Sequence, residues 1–288
     1  MSRSMCGRQP ALANFCRICR FRLQEEKTPK VIKRTAVLIY GVASYLVFFC
    51  TFLYAAGFVG NLWVPKSIDS GAEGSLTEAL IVNCSLLTVF ALQHSIMARK
   101  WFKEAWTRIV PPAMERSTYV LCASLALILM FTAWRPMGGV IWSVEAPAGQ
   151  MILWAICVTG WLTVLASTFL INHFDLFGLR QVVLYFMGKP YTHLGFRTPV
   201  LYKYVRHPIY LGFLLAFWAT PVMTAAHLVF ALATTGYILT AIQFEERDLI
   251  REHGETYSRY RKATPMLLPV GGQNMPAKGE AAHAGQSA

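Results

Sequence analysis

The 288-residue chain is 55% hydrophobic and only 15% charged, with a mean hydropathy of +0.41. That composition excludes an ordinary soluble domain and points to a polytopic membrane protein. A formal net charge of +12 would suggest nucleic acid in a soluble chain; here the basic residues follow a membrane topology, and nucleic acid is not an expected partner.

Apolar runs fall at 35–60, 76–98, 117–134, 151–171, 208–222 and 225–244. A hydrocarbon core about 30 Å thick needs roughly 20 helical residues at about 1.5 Å each. The run 208–222 reaches only about 22 Å, so it must tilt, thin the bilayer locally or dip partway. If all six runs cross, 25 of the 27 Lys and Arg residues lie on one face. The positive-inside rule then makes that face cytoplasmic, with both termini on it.

Residues 1–34 are basic and lack apolar periodicity, and they read as a flexible cytoplasmic tail. The run that follows is too long for a signal-peptide core and is expected to stay as the first span. Cys16 and Cys19 form a lone CxxC near Cys6, a weak zinc pattern without a second ligand pair. Cys50, Cys84, Cys122 and Cys157 sit in spans as small apolar residues. Trp63 follows the first run at an interfacial position.

The second run ends in Gln93-His94-Ser95, polar groups that must be paired or wet at a span end. They are expected either to bond between helices or to line a cavity open to the cytoplasm. Trp101, Phe102 and Trp106 predict an interfacial helix. Arg135-Pro136 ends the third run, and 136–150 is expected as a short external loop. The fourth run ends in Asn172-His173-Phe174-Asp175, again polar on the cytoplasmic side. His94, His173, His193 and His207 thus share one layer. No HxxxH, HxxHH or HExxH spacing occurs among them, and no metal site is expected.

Segment 182–206 is an aromatic, turn-rich cytoplasmic connection suited to a lid or cofactor wall. Arg206-His207-Pro208 follows, with Pro208 in the first helical turn. Arg206 and His207 then precede a helix N-terminus, which favours an anion or a carboxylate. Pro221 ends this arm, residues 223–227 are expected to form the tight turn, and the second arm returns Glu245-Glu246 to the same depth. Gly254 interrupts the helix that continues from there, and 269–288 is expected to be disordered. The expected fold is all-α: a polytopic membrane bundle of five to six spans over 35–268, with a C-terminal helical hairpin.

Arg206-His207-Pro208-Ile209-Tyr210-Leu211-Gly212, Glu245-Glu246-Arg247-Asp248-Leu249 and Gly254-x-x-Tyr257-x-x-Tyr260 resemble the signature of the isoprenylcysteine carboxyl and phospholipid methyltransferase superfamily. Gln93-His94-Ser95-x-Met97-Ala98-Arg99 and the stretch Asn172–Gln181 bring the chain nearer to the bacterial methanethiol S-methyltransferases, with part of the first motif also nurim-like. The likeness covers about 80–268.

The resemblance implies an integral-membrane enzyme of the bacterial inner membrane. Its activity would be S-adenosylmethionine-dependent methylation of methanethiol to dimethyl sulfide. It implies cofactor contacts from Tyr202, His207, Pro208, Tyr210 and Glu245, and from His193 in the less well matched loop. It implies that Arg206 lies close to methyl transfer. Glu246, His94 and His173 complete the candidate catalytic set, Arg206 or an imidazole favouring the thiolate. Ala241 stands where the carboxyl methyltransferases carry an arginine for a substrate carboxylate, which suits a small thiol. A prenylcysteine or lipid acceptor, or a non-catalytic nurim-like protein, are the alternatives.

Overall fold

The computed structural model describes residues 10–269, with side chains from residue 30 onward. The expected N-terminal tail therefore enters a helix at Pro10. Residues 1–9 and 270–288, the Cys6/Cys16/Cys19 side chains and the expected C-terminal disorder lie outside the description.

The chain is all-α apart from one small ribbon. Helix α1 spans Pro10–Gly60, α2 Leu76–Ala98, α3 Lys100–Trp106, α4 Glu115–Ala133 and α5 Pro147–Ile171. Short helices α6 (His173–Leu176) and α7 (Leu179–Phe186) precede the connection to α8 (Pro208–Trp218), α9 (Ala225–His253) and α10 (Glu255–Ala263). Among the described residues five helices are long and apolar enough to cross a membrane: Lys30–Gly60 of α1, α2, Pro112–Ala133, α5 and α9. Helix formation there is forced, because a lipid interior offers backbone N–H and C=O groups no other partner.

The short run is α8, 11 residues and about 16 Å long. It seats deeply because it meets α5 backbone to backbone. A Cβ on Gly160 would lie 2.6 Å from the Gly212 carbonyl oxygen, and one on Gly212 would lie 2.7 Å from that of Gly160. Small residues at a helix crossing in lipid permit this approach. The length that α8 lacks is supplied by an extended segment. Strand β2 (Val222–Thr224) pairs antiparallel with β1 (Val140–Ser143), Trp142 opposite Met223 and Ser143 opposite Val222.

This ribbon corrects two expectations. Segment 136–150 is more than a loop, and the turn expected at 223–227 is a strand followed by a helix start. Thr224 caps α9, its Oγ1 accepting from the His227 N–H at 3.1 Å. Beneath the ribbon lies an aromatic core of Phe58, Phe131, Trp134, Phe217 and Phe230. Buried Asn83 spans its edge, donating to the Arg135 carbonyl at 2.8 Å and accepting from the Arg135 N–H at 2.9 Å.

Helix α9 has 29 residues, about 43 Å. Glu245 and Glu246 therefore stand about 30 Å from its start, one hydrocarbon thickness away from the ribbon. Gly254, at φ +55°, breaks the helix so that α10 can turn back beneath α8.

Candidate functional site

Glu245 and Glu246 are adjacent on α9, so their side chains diverge by about 100° around the helix axis. The divergence gives them opposite environments. Glu246 is 2% exposed. Arg206 donates Nε–H to its Oε1 at 2.7 Å, His207 Nε2 lies 3.2 Å from the same oxygen, and Arg261 of α10 forms an ion pair with it, Nε 2.8 Å from Oε2. The anion expected at the N-terminus of α8 is thus the chain's own Glu246.

Arg206 is equally occupied. Its Nη1 donates to the carbonyls of Arg261, at 2.8 Å, and Thr264. The backbone repeats the fastening: Arg206 N–H donates to Pro265 O at 2.9 Å and His207 N–H to Met266 O at 3.2 Å. The Tyr260 hydroxyl donates to the Tyr202 carbonyl. Buried ion pairs hold when the remaining protons find partners, and here two carbonyls take those of Arg206 Nη1. Two predicted catalytic residues, Arg206 and Glu246, are therefore joined in a clamp that binds the segment 260–266 to the start of α8.

Glu245 faces the other way, with a side chain 45% exposed. It accepts from the Tyr210 hydroxyl at 3.0 Å and lies 3.9 Å from His207 Nδ1. Tyr202, in the 3-10 turn Val200–Lys203, comes close enough for Glu245 to act on it. Burial first, then the Glu245 charge, pushes its hydroxyl above the ordinary phenol range. That hydroxyl is shut off from solvent and has no partner among the described residues. Tyr257 nearby, pushed up to about 12 by burial, also lacks one. A neutral, unpaired donor beside a half-exposed carboxylate suits a ligand carrying both cationic and hydrogen-bonding groups. The predicted residues Tyr202, His207, Pro208, Tyr210 and Glu245 therefore do converge, with Pro208 as the first residue of α8.

His193 stands in an exposed segment after α7. It lines a cleft of ≈ 740 Å³ shared with Lys103, Arg116, Tyr185, Tyr191 and Glu252. Burial first, and Arg116 second, lowers the Lys103 ammonium. At the inner side of this cleft, the Arg116 guanidinium carbon lies 5.8 Å from the Tyr119 ring centroid.

Tyr119 leads to His94. Its hydroxyl lies 2.9 Å from His94 Nε2 and 3.4 Å from the His94 carbonyl oxygen. The His94 ring stacks on Phe90, centroids 5.3 Å apart, and meets Tyr237 of α9 edge-on. Tyr237 in turn bonds Ser95, oxygen to oxygen at 3.2 Å. Glu245 and Tyr210 thus form one polar group at this end of the bundle, and His94 with Tyr119, Tyr237 and Ser95 forms a second. The expected bonds between helices are present, from His94 to Tyr119 and from Ser95 to Tyr237, while His94 Nδ1 has no partner among the described residues.

His173 is placed differently. Its Nε2 lies 2.9 Å from the Tyr45 hydroxyl and its Nδ1 2.8 Å from the Thr168 hydroxyl. The ring stacks on Phe169 with centroids 4.1 Å apart. Both nitrogens are engaged, and the residue is 2% exposed. Burial lowers its pKa. Among the described residues its polar partners come from α1 and α5 alone, so it joins neither the Glu245 nor the His94 group.

Tyr119, Tyr237 and Arg261 are absent from the sequence-predicted set. The tyrosines sit inside apolar runs, where nothing marks which face meets His94. Arg261 reaches Glu246 only because the chain turns at Gly254. Its one sequence signal is a basic residue following Tyr260 of the signature.

No family model matches the chain, and no solved structure matches it. Among curated proteins it is similar to methanethiol S-methyltransferase of Crocosphaera subtropica, 56% identical over 250 residues, which are 87% of this chain and 98% of that protein. Methanethiol S-methyltransferase of Mycobacterium tuberculosis is 58% identical over 238 residues, 83% of this chain and 98% of that protein. Nurim of Xenopus laevis is 28% identical over 243 residues, 74% of this chain and 83% of that protein.

Proposed function

The chain belongs to the methanethiol S-methyltransferase family, and we propose that it methylates methanethiol to dimethyl sulfide with S-adenosylmethionine as methyl donor. The observation that carries the donor assignment is the half-exposed Glu245 carboxylate bonded to Tyr210 beside the unpaired Tyr202 hydroxyl. Such a donor supplies a methyl group on a cationic sulfur. Glu245 matches that positive charge or the donor's ammonium, Tyr202 offers a hydrogen bond, and His207, Pro208 and Tyr210 form the wall. His193 contributes from the cleft.

Arg206 and Glu246 act in this scheme by fastening the C-terminal segment, and His173 by fixing the end of α5. His94 is left as the imidazole with a free nitrogen for the thiol. Catalysis then rests mainly on alignment and exclusion of water. The protein is an integral membrane protein. We place it in the bacterial inner membrane with both termini and the Glu245 end in the cytoplasm, on the strength of its basic-residue distribution.

Membranes containing the protein, given methanethiol and S-adenosylmethionine, should release dimethyl sulfide into the headspace. A control without thiol should not. Donor binding without product would overturn the thiol assignment and favour a larger acceptor.

A further inference from the structure

His94 and His173 are two partly or fully enclosed imidazoles at the same end of the bundle, and they differ in one respect. Both nitrogens of His173 meet hydroxyls. At His94 only Nε2 does, while Nδ1 is shut off from solvent without a partner among the described residues. An unpaired polar atom in that position is costly unless something uses it.

The partner of Nε2 decides what Nδ1 is. The Tyr119 hydroxyl carries one proton and sits within reach of two His94 atoms, Nε2 at 2.9 Å and the backbone oxygen at 3.4 Å. The carbonyl can only accept. When Tyr119 donates to it, Nε2 must carry its own hydrogen and donate to the Tyr119 oxygen. In neutral imidazole that leaves Nδ1 a bare lone pair, the form a base needs. Phe90 stacked on the ring and Tyr237 at its edge hold the imidazole in place.

Resting on the methyl-transfer reading above, we propose that Tyr119 is a positioning residue that fixes the His94 tautomer, and that Nδ1 of His94 receives the proton of the acceptor thiol. The thiol S–H bond breaks and its proton passes to Nδ1. The sulfur electron pair bonds to the donor methyl carbon, and the bond from that methyl to the cationic sulfur breaks, its pair staying with the donor as a neutral thioether. The proton passes from Nδ1 to water that enters as dimethyl sulfide leaves.

The test compares two acceptors in one preparation, methanethiol and methaneselenol. The selenol is ionised at neutral pH and needs no base. Tyr119→Phe keeps the ring but removes the proton that selects the tautomer. It should lower kcat for methanethiol by about tenfold or more, His94→Gln by about a hundredfold, with KM little changed. Both variants should methylate the selenol within about twofold of the unsubstituted protein, which also shows that they fold. Equal losses on both acceptors, or full thiol turnover in either variant, overturn the proposal. Absence of dimethyl sulfide from the unsubstituted protein overturns instead the reading on which it rests.

Discussion

The two ends of the bundle handle buried polar groups in different ways. At the ribbon end the pairings are mostly between neutral groups and backbone: Asn83 with both backbone groups of Arg135, His227 Nε2 with the Phe217 carbonyl at 2.8 Å, Trp142 with the Thr220 carbonyl at 3.1 Å. At the opposite end charges are gathered around Glu246, and Gln93, His94, Trp106, Gln181, Tyr202 and Tyr257 each keep a buried polar atom without a partner among the described residues. The ribbon end leaves Trp134 and His227 in that state, walled by the aromatic core. One end closes the fold. The other keeps unpartnered polar groups beside a clamp that is itself closed.

The sharpest way to break that distinction lies in two neighbours on α9. Glu246→Ala leaves Arg206, with a side chain 9% exposed, facing no carboxylate. Removing one partner of a buried pair costs about 3–5 kcal/mol, so the detergent-solubilised protein should lose most of its thermal stability. Glu245→Gln should melt like the unsubstituted protein yet bind S-adenosylmethionine about tenfold or more weakly, as expected for losing a charged hydrogen-bond partner of about 1.5–3 kcal/mol. Thermal melts and equilibrium binding on the two variants separate the roles. Equal melting losses would erase the difference between clamp and site.

Asn83→Ala probes the ribbon end. It strips partners from the Arg135 backbone groups and should cost about 1–3 kcal/mol of stability. The kcat and KM of the surviving folded protein should stay unchanged. A fall in kcat at a temperature where the variant is fully folded would show that the two ends are coupled.

The spans were legible because each carries its own apolar run, and the convergence of Tyr202, His207, Tyr210 and Glu245 because the hairpin returns the Glu245 motif to the depth of the Tyr202–Tyr210 motif. The ribbon was not: Val140–Ser143 and Val222–Thr224 are three or four residues each and pair across the whole stretch from α5 to α8. Nor could adjacency tell Glu245 from Glu246. Their roles depend on the phase of α9 and on the left-handed turn at Gly254 that brings Arg261 underneath. His173 looked like His94 for a similar reason: both end a span in a polar cluster, and only the fold gives one of them two hydroxyl partners.

That last contrast supplies the smallest effect and a direct check on His173. Burial lowers its pKa from the ordinary 6.5. In the unfolded chain the imidazole binds a proton as pH falls through about 6.5, while in the folded protein it stays neutral further down. Its contribution to stability is therefore complete above about pH 6.5 and declines as pH falls from there towards the lowered folded value. Melting temperatures measured across that window should drop more for the unsubstituted protein than for His173→Gln, whose side chain does not titrate. Comparing the two slopes removes the contribution of the carboxylates common to both. His173→Gln should also retain most of its turnover wherever it is folded, because a glutamine amide can still bond Tyr45 or Thr168. A loss of turnover as large as that of His94→Gln would return His173 to the chemistry alongside His94.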